Sequence, residues 1–350
     1  MSQTEREKSF GAAGGLAAEA VLESGTDVIG SDVEIKARGY WEQVWRRFKR
    51  DKVALGGGVF VIFLILVAIF GGPLAAKILG HGPNDLFYTA VTDKLLPVGP
   101  MTWVDDVNNP GQQTLFVLGA SDTLGRDELM RLLYGARVSL EVAIMATVFS
   151  MTIGTLLGAS AGYFRGWTDT VISRITEITM AFPALLFIIA LASTIGSRLD
   201  NVTFGIFGRG VVTLVLVFAI FGWFYPARII RAVVLSLREK EFIEAARMVG
   251  ASDVRIIRSH VLPHLIAPII VFSTLAVASV ILGEAGLSFL GIGIKLPTPS
   301  WGNLLADAPT FYTAQPWLMV WPGLAVLLTT LSFNLLGDGL RDAFDPRATH

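Results

Sequence analysis

Hydrophobic residues are concentrated in six stretches of the chain that contain no Asp, Glu, Lys or Arg. Each stretch provides at least about the length that a helix needs to cross a bilayer, roughly 17–25 residues. The pattern therefore predicts an all-α polytopic membrane protein with six transmembrane helices, at Val53–Ala76, Val142–Phe164, Ile178–Ser197, Gly210–Ala227, Val261–Gly283 and within Ala308–Gly337.

Glycine and proline positions set the expected ends of these helices. The third helix should begin before its charge-free run, near Thr168, and it contains Pro183. Proline costs little in the first turn of a helix, where its missing N–H has no partner anyway. We therefore expect the first helix to end at Gly71, Gly72 and Pro73, and three other prolines to lie at helix beginnings: Pro263, Pro268 and Pro322.

Composition excludes a typical soluble protein. Of the 350 residues, 53% are hydrophobic and only 16% are charged, whereas a soluble domain carries roughly a quarter charged residues. The formal charge of −1 provides no basic field for nucleic acid. Because the chain has no cysteine, it forms no disulfide and no thiolate-bound metal centre.

Positive charge is unevenly divided between the two sides of the predicted membrane. If the N-terminus is cytoplasmic, 20 of the Lys and Arg residues lie inside and 8 lie outside. Cytoplasmic loops of membrane proteins carry the excess of Lys and Arg. We therefore predict that both termini are cytoplasmic.

The same features divide the chain into segments. The first segment lacks a regular apolar pattern and should be disordered, and the second places aromatic rings on one helical face and cations on the rest, as in a helix at the bilayer interface. The predicted division is a disordered cytoplasmic tail at 1–37, an amphipathic interfacial helix at 38–52, the first transmembrane helix at 53–76, an extracytoplasmic loop at 77–137, a five-helix core at 138–340 and a cytoplasmic tail at 341–350.

The predicted extracytoplasmic loop contains several Gly-Pro and Pro-Gly turns and ends in an apolar helical pattern. Its leucines and alanine recur at the spacing of one helical face. We expect a short amphipathic helix along the membrane, capped by Asp122 or Thr123, with its apolar face made of Leu129, Leu132, Leu133 and Ala136.

The most informative segment is the loop between the fourth and fifth predicted spans, residues 236–263, called the four–five loop below. It predicts a helix, a turn and a second helix, with Gly250 in the left-handed conformation and Ser252 or Asp253 as the second N-cap. A short charged two-helix protrusion suits insertion into a groove on another protein. Its apolar stripe should consist of Phe242, Ile243, Ala246 and Val249.

At these residues the chain resembles the permease subunits of bacterial ATP-binding-cassette importers. The shared pattern is Glu244-Ala245-Ala246, then Gly250, then Leu262-Pro263, and His260 stands where the family has Ile. This departure looks like the peptide-importer branch. Further blocks resemble the C-type permease subunit of dipeptide and oligopeptide importers: Leu124–Asp127, Tyr134–Leu140, Leu282–Gly291, Pro299–Gly302, Trp321–Gly323 and Asn334–Asp342.

The resemblance implies a type I importer permease in the bacterial plasma (inner) membrane. Its implied partners are a homologous second permease, two ATPase subunits that bind ATP and Mg, an extracytoplasmic peptide-binding protein and membrane lipid, with no nucleic acid. The chain has no GxxxxGK[ST] phosphate loop, so we expect it to bind no nucleotide and no other cofactor itself. The implied ATPase-docking residues are Glu244, Ala245, Ala246, Arg247, Gly250, Ala251, Ser252, Leu262 and Pro263.

The resemblance implies transport of short peptides, and it leaves nickel or other metal chelates and glutathione-like ligands open. A self-sufficient channel or secondary carrier is a competing hypothesis, and either would act without ATPase partners. An intramembrane protease would need catalytic pairs that the spans lack, so we expect no catalytic residue.

Three polar residues are further candidates. Glu284, at the outer end of the fifth predicted span, is a possible pore or gate residue, or it reaches the interface or caps the next turn. His260 and His264 lie four residues apart, a spacing that suits a metal, but no third ligand is evident. We therefore expect no metal site.

Overall fold

The computed structural model describes residues 39–106, 111–183, 185–191, 194 and 208–345. The predicted disordered tail at 1–37, most of the end of the third predicted span and residues 346–350 lie outside this part of the chain. The chain divides into the units Met1–Val44 and Trp45–His350, and the packing described below is that of the second unit.

The described residues form ten helices that are named here and one small sheet. Two short 3₁₀ turns, Tyr88–Ala90 and Ala308–Thr310, accompany them. The elements in chain order are α1 Tyr40–Arg50, α2 Lys52–Leu79, β1 Thr102–Asp105, β2 Gln113–Phe116, α3 Glu128–Phe164, α4 Gly166–Ala181, α5 Leu185–Leu191, α6 Val211–Arg238, α7 Glu241–Met248, α8 Asp253–Phe289, α9 Trp301–Asp307 and α10 Trp317–Phe344.

Five of these helices, α2, α3, α6, α8 and α10, are long and apolar enough to cross a membrane. The pair α4 and α5 makes a sixth candidate span, bent by 86°. The bend lies at Phe182, whose backbone is extended (φ −79°, ψ 138°), because a proline disfavours the helical conformation of the residue before it. Five predicted spans therefore have counterparts, and the third has one if the bent pair crosses the membrane as a single span. Pro183 lies at the break of this pair and not within one continuous helix.

Several predicted helix ends are wrong. Gly71, Gly72 and Pro73 do not end α2, which contains a π turn at Val67–Gly71 and continues to Leu79. A proline ring clashes with the carbonyl four residues before it, and a π turn opens the helix at that point. Gly80, with φ +81°, ends the helix instead.

The same arrangement occurs in α8. A π turn at Ile257–Val261 precedes Pro263 and joins the second helix of the four–five loop to the fifth span without a break. Pro268 and Pro322 lie inside α8 and α10 and not at helix beginnings. These differences arise because the freed carbonyl of each proline is accommodated by local helix geometry that the sequence pattern does not specify.

The predicted short helix along the membrane is not separate. Its residues form the first turns of α3, a single helix of 37 residues that is about 55 Å long. Asp127 caps α3 by accepting a hydrogen bond from the Met130 N–H at 3.1 Å. Neither expected cap does so, and Asp122 instead pairs with Arg126 at 2.5 Å.

A small sheet lies between α2 and α3. Strands β1 and β2 are antiparallel, with Trp103 opposite Leu115. Beneath them is an apolar cluster of Phe87, Ala90, Val104, Phe116 and Ala120, all of which are nearly inaccessible to solvent. This segment has its own small apolar core, and the Thr114 hydroxyl joins it to the end of α2 by bonding to the Leu79 carbonyl at 3.3 Å.

Three glycines allow α3 and α6 to approach at backbone distance. A Cβ added to Gly154 would lie 2.7 Å from the Trp223 carbonyl oxygen, and one added to Gly162 would lie 2.8 Å from that of Arg231. At Gly158, between them, the Ala227 carbonyl is closer still. Small residues spaced by four are how membrane helices pack closely. We call this contact the glycine seam.

We expect Gly158→Ala to push α3 away from α6, because the added methyl group has no room beside the Ala227 carbonyl. Overpacking of this kind costs about 1–3 kcal/mol of folding free energy. Thermal unfolding of the purified chain in detergent measures the loss. Gly56→Ala is the matched control, since a Cβ there meets nothing within 4 Å. Equal unfolding temperatures for the two variants would contradict the seam.

Candidate functional site

The four–five loop begins at the end of α6 and forms a helical hairpin from α7 and the first turns of α8. After Lys240 the short helix α7 begins with Glu241 and Glu244 in its first turn, where carboxylates favour the helix dipole. It ends at Gly250, with φ +85°. The Gly250 N–H bonds to the Arg247 carbonyl at 2.9 Å and the Ala251 N–H to the Ala246 carbonyl at 3.0 Å. This is a Schellman C-cap, so the predicted left-handed glycine is confirmed.

The second helix starts where the pattern predicted. Ser252 has the extended backbone of an N-cap residue (φ −66°, ψ 153°), although its side chain makes no capping hydrogen bond. Asp253 is therefore the first residue of α8 and not its cap. Its carboxylate is free to bind elsewhere, as described below.

Only half of the residues predicted for the apolar stripe of α7 are buried or partly buried. Ile243 is fully buried and Ala246 is partly buried in a cluster with residues of α6 and α8, among them Ile230 and Ile256. Val249, in contrast, is 89% exposed. It lies at the C-cap of a helix of only eight residues, beyond the reach of the cluster.

The free end of the loop presents three large apolar side chains to the surface. Met248, Val249 and Val254 are 84%, 89% and 74% exposed. We call this patch the apolar tip. The sequence pattern had assigned Val249 to the core and had overlooked Met248 and Val254. Their signal was an apolar residue on either side of a glycine turn in an otherwise charged loop.

Most residues implied in ATPase docking are accessible. Ala246 and Ala251 are half-buried, and both pack on the cluster that holds Ile243. Leu262 and Pro263 lie beyond the π turn, on the membrane part of α8. The exposed members of the set are Glu244, Ala245, Arg247, Gly250, Ser252, Leu262 and Pro263.

Tyr163, in the last turn of α3, joins the loop to the membrane helices. Its hydroxyl donates a 2.6 Å hydrogen bond to Asp253 Oδ1. The Arg247 guanidinium lies 5.4 Å from its ring centroid, and that of Arg238 lies 5.8 Å away. Arg238 also bonds to the Tyr163 carbonyl. Sequence reasoning missed Tyr163, because a tyrosine at the end of a span carries no distinctive signal.

Glu284 is fully buried in α8, five residues before the last residue of that helix, Phe289. Its Oε2 accepts from the Ser139 hydroxyl at 2.9 Å and its Oε1 from the Ser288 hydroxyl at 2.7 Å. Ser139 in turn accepts the Trp301 N–H at 3.3 Å. Glu284 thus faces α3 and the start of α9 and holds these helices together. Its role as a pore or gate residue stays a prediction.

The two histidines flank an aromatic ring. His260 and His264 lie 6.5 and 5.5 Å from the ring centroid of Phe242. Within the described ranges, no three His, Asp or Glu side chains are grouped so that they could hold a metal ion.

An uncharged cavity of about 470 Å³ lies between α3, α5, α6 and α8. Its wall combines aromatic rings with hydroxyl groups. Ser279, on this wall, is exposed within an apolar span, and polar residues in membrane spans usually face a partner or a water-filled space. The lining includes Ser150, Met151, Phe218, Phe221, Tyr225, Phe272 and Ser279.

Two family models match the chain. Residues 154–350 match the family described as "Binding-protein-dependent transport system inner membrane component". Residues 39–97 match "N-terminal TM domain of oligopeptide transport permease C". Together they cover both the first span and the four–five loop.

Curated relatives are similar over nearly the whole chain. The glutathione transport system permease protein GsiD of Escherichia coli O6:H1 is 39% identical over 89% of this chain and 92% of its own length. GsiD of Pectobacterium atrosepticum is 38% identical, over 88% and 91%. The dipeptide transport system permease protein DppC of Alkalihalophilus pseudofirmus is 37% identical, over 88% and 90%.

A solved inward-facing structure of the MetNI methionine ABC transporter is a more distant match. It has a TM-score of 0.49 at 16% identity and covers 61% of this chain and 96% of that chain. The family assignment does not depend on it.

We expect Glu284→Leu to destabilise the chain by about 2 kcal/mol or more, because two buried serine hydroxyls lose their acceptor. Thermal unfolding in detergent measures this. Ser279→Ala is the control, since the Ser279 hydroxyl is exposed and bonds only to the Leu275 carbonyl of its own helix. A Glu284→Leu chain with unchanged stability and lost transport would contradict this structural role and support the pore or gate hypothesis.

Proposed function

This chain belongs to the family of binding-protein-dependent transport system inner membrane components, and we propose that it is a permease subunit of an ATP-driven importer of short peptides. The family places it among multi-pass inner-membrane permeases, which are not themselves catalytic. The observation that carries the proposal is the apolar tip of the four–five loop.

The apolar tip supports docking to another protein. Exposed apolar side chains that lie together mark interaction sites, and Met248, Val249 and Val254 are held on a hairpin whose base is buried. Glu244 and Arg247, exposed beside the tip, provide a charged rim. We propose that this hairpin enters a cleft of an ATPase subunit, in the helix-in-groove mode.

We propose the remaining partners that the family implies. Two ATPase subunits bind ATP and Mg and move the docked hairpins; this chain has no phosphate loop of its own. A homologous permease completes the pathway, and an extracytoplasmic binding protein delivers substrate. The excess of Lys and Arg on the N-terminal side supports cytoplasmic termini.

The uncharged cavity between α3, α5, α6 and α8 supports a peptide as substrate. Its rings and hydroxyls can contact a peptide backbone without selecting the charge of a side chain. Selection among peptides then rests with the binding protein. Glutathione is the second candidate, because relatives 38–39% identical are glutathione permeases.

Gly250→Val tests docking. Val tolerates the left-handed conformation poorly, whereas Asn adopts it readily, and a Cβ at Gly250 meets no other described atom within 4 Å. We expect the tagged wild-type chain to co-purify from its native membrane in mild detergent with ATPase subunits and a second permease. Gly250→Val should lose the ATPases and keep the permease, and Gly250→Asn should keep both.

Recovery of the wild-type chain alone, active in liposomes without ATP, would contradict the importer and favour a channel or carrier. Uptake of labelled dialanine and of labelled glutathione by cells with and without the chain separates the two substrate candidates. Uptake of neither, with the complex intact, would reject the proposed substrate class.

A further inference from the structure

Three residues of the four–five loop, one from each of α6, α7 and α8, contact Tyr163. Arg238 ends α6, Arg247 lies on α7 and Asp253 begins α8, and all three side chains reach this one residue of α3. The tyrosine is only 2% exposed. Three side chains of the loop thus contact one buried residue that belongs to a different span, α3.

The contacts are of the stronger kinds. The bond from the phenol to Asp253 is short, at 2.6 Å, and its acceptor is a carboxylate oxygen, a partner that forms stronger hydrogen bonds than a neutral acceptor does. Two guanidinium groups lie near the ring, at 5.4 and 5.8 Å from its centroid, within the range of cation–π attraction. A second link, Arg165 to Glu239 at 2.5 Å, is largely exposed and contributes little.

The backbone next to Tyr163 is also held by the contact between α3 and α6. Gly162, which precedes Tyr163, belongs to the glycine seam, against the Arg231 carbonyl of α6. Tyr163 therefore sits on the body that α3 and α6 form together. The loop, in contrast, continues into α8 through the π turn at Ile257–Val261, where the regular helical bonding is interrupted.

We propose that Tyr163 is a positioning residue that latches the four–five loop to the α3–α6 body. A displacement of the loop then reaches α3 directly, in addition to α6, in which the loop begins, and α8, in which it ends. This inference rests on the proposed docking of the loop to an ATPase subunit. Arg247, in the docking motif, acts in part through its contact with the Tyr163 ring.

Tyr163→Phe removes only the hydroxyl and keeps the ring, its burial and both cation contacts. Tyr134→Phe is the matched control on the same helix, because the Tyr134 hydroxyl has no hydrogen-bond partner in the described part of the chain. Asp253→Ala removes the acceptor. If the two residues act through one bond, Tyr163→Phe with Asp253→Ala should have no greater effect than either change alone.

The first measurement is the distance between spin labels at Val148→Cys on α3 and Val254→Cys on the apolar tip, in the full chain in nanodiscs. Both positions are exposed, and the chain contains no cysteine of its own. We expect one narrow distance distribution in the otherwise unaltered chain and with Tyr134→Phe. Tyr163→Phe and Asp253→Ala should broaden it. A narrow distribution in all variants would overturn the latch, whatever partners the chain binds.

The second measurement uses the assembled importer and labelled dialanine. With the ATPase subunits still bound, Tyr163→Phe should raise the ATP hydrolysed per dialanine imported by about tenfold, the effect of losing one charge-assisted hydrogen bond. A purely structural role would lower stability and leave this ratio unchanged, and that result would also overturn the latch. Loss of the ATPases from the wild-type complex would instead contradict the docking, while the distance measurement still decides the latch.

Discussion

Close backbone contact between spans is the constraint on which this structure depends. In a bilayer, lipid tails are as apolar as the helix surfaces, so helices gain little by hiding apolar side chains from the solvent. They associate where their surfaces fit closely. Gly154, Gly158 and Gly162 provide that fit between α3 and α6. Gly57 provides it between α2 and α10, where the Ser332 carbonyl would lie 2.9 Å from an added Cβ.

Polar contacts then secure the two ends of α3. Near its start, Ser139 connects Glu284 of α8 with the backbone of α9, and near its end Tyr163 contacts the four–five loop. A buried polar group in hydrocarbon is costly unless it is paired, so each of these contacts has a defined geometry. Helix α3, with its 37 residues, thus contacts α8 and α9 in its first third and the four–five loop at its end.

The sequence alone predicted those features of the fold that depend on residues adjacent in the chain. Charge-free runs located the spans, because crossing a bilayer requires a long apolar segment whatever its neighbours. Gly250 was predicted correctly because the left-handed conformation at the end of a helix depends on residues adjacent in sequence. The family pattern around Glu244 and Gly250 also identified the loop that carries the apolar tip.

Other features depend on contacts between segments. Val249 is exposed because α7 is too short to bring it back to the core, and Glu284 is buried because Ser139, 145 residues earlier, supplies a partner. The role of Tyr163 depends on three residues that are distant from it in sequence. None of these relations leaves a periodic pattern in the sequence.

The π turn in α8 also makes the number of residues between Gly250 and Leu262 structurally important. The Leu262 N–H bonds to the Ile257 carbonyl, five residues earlier, so this turn holds one residue more than a regular α-helical turn. Each residue rotates a helix by about 100°. The number of residues between Gly250 and Leu262–Pro263 therefore determines the rotation of the hairpin about the axis of α8 as well as its distance along that axis. Removing one residue from it would turn the hairpin about the axis of α8 by roughly that angle and aim the apolar tip in a different direction.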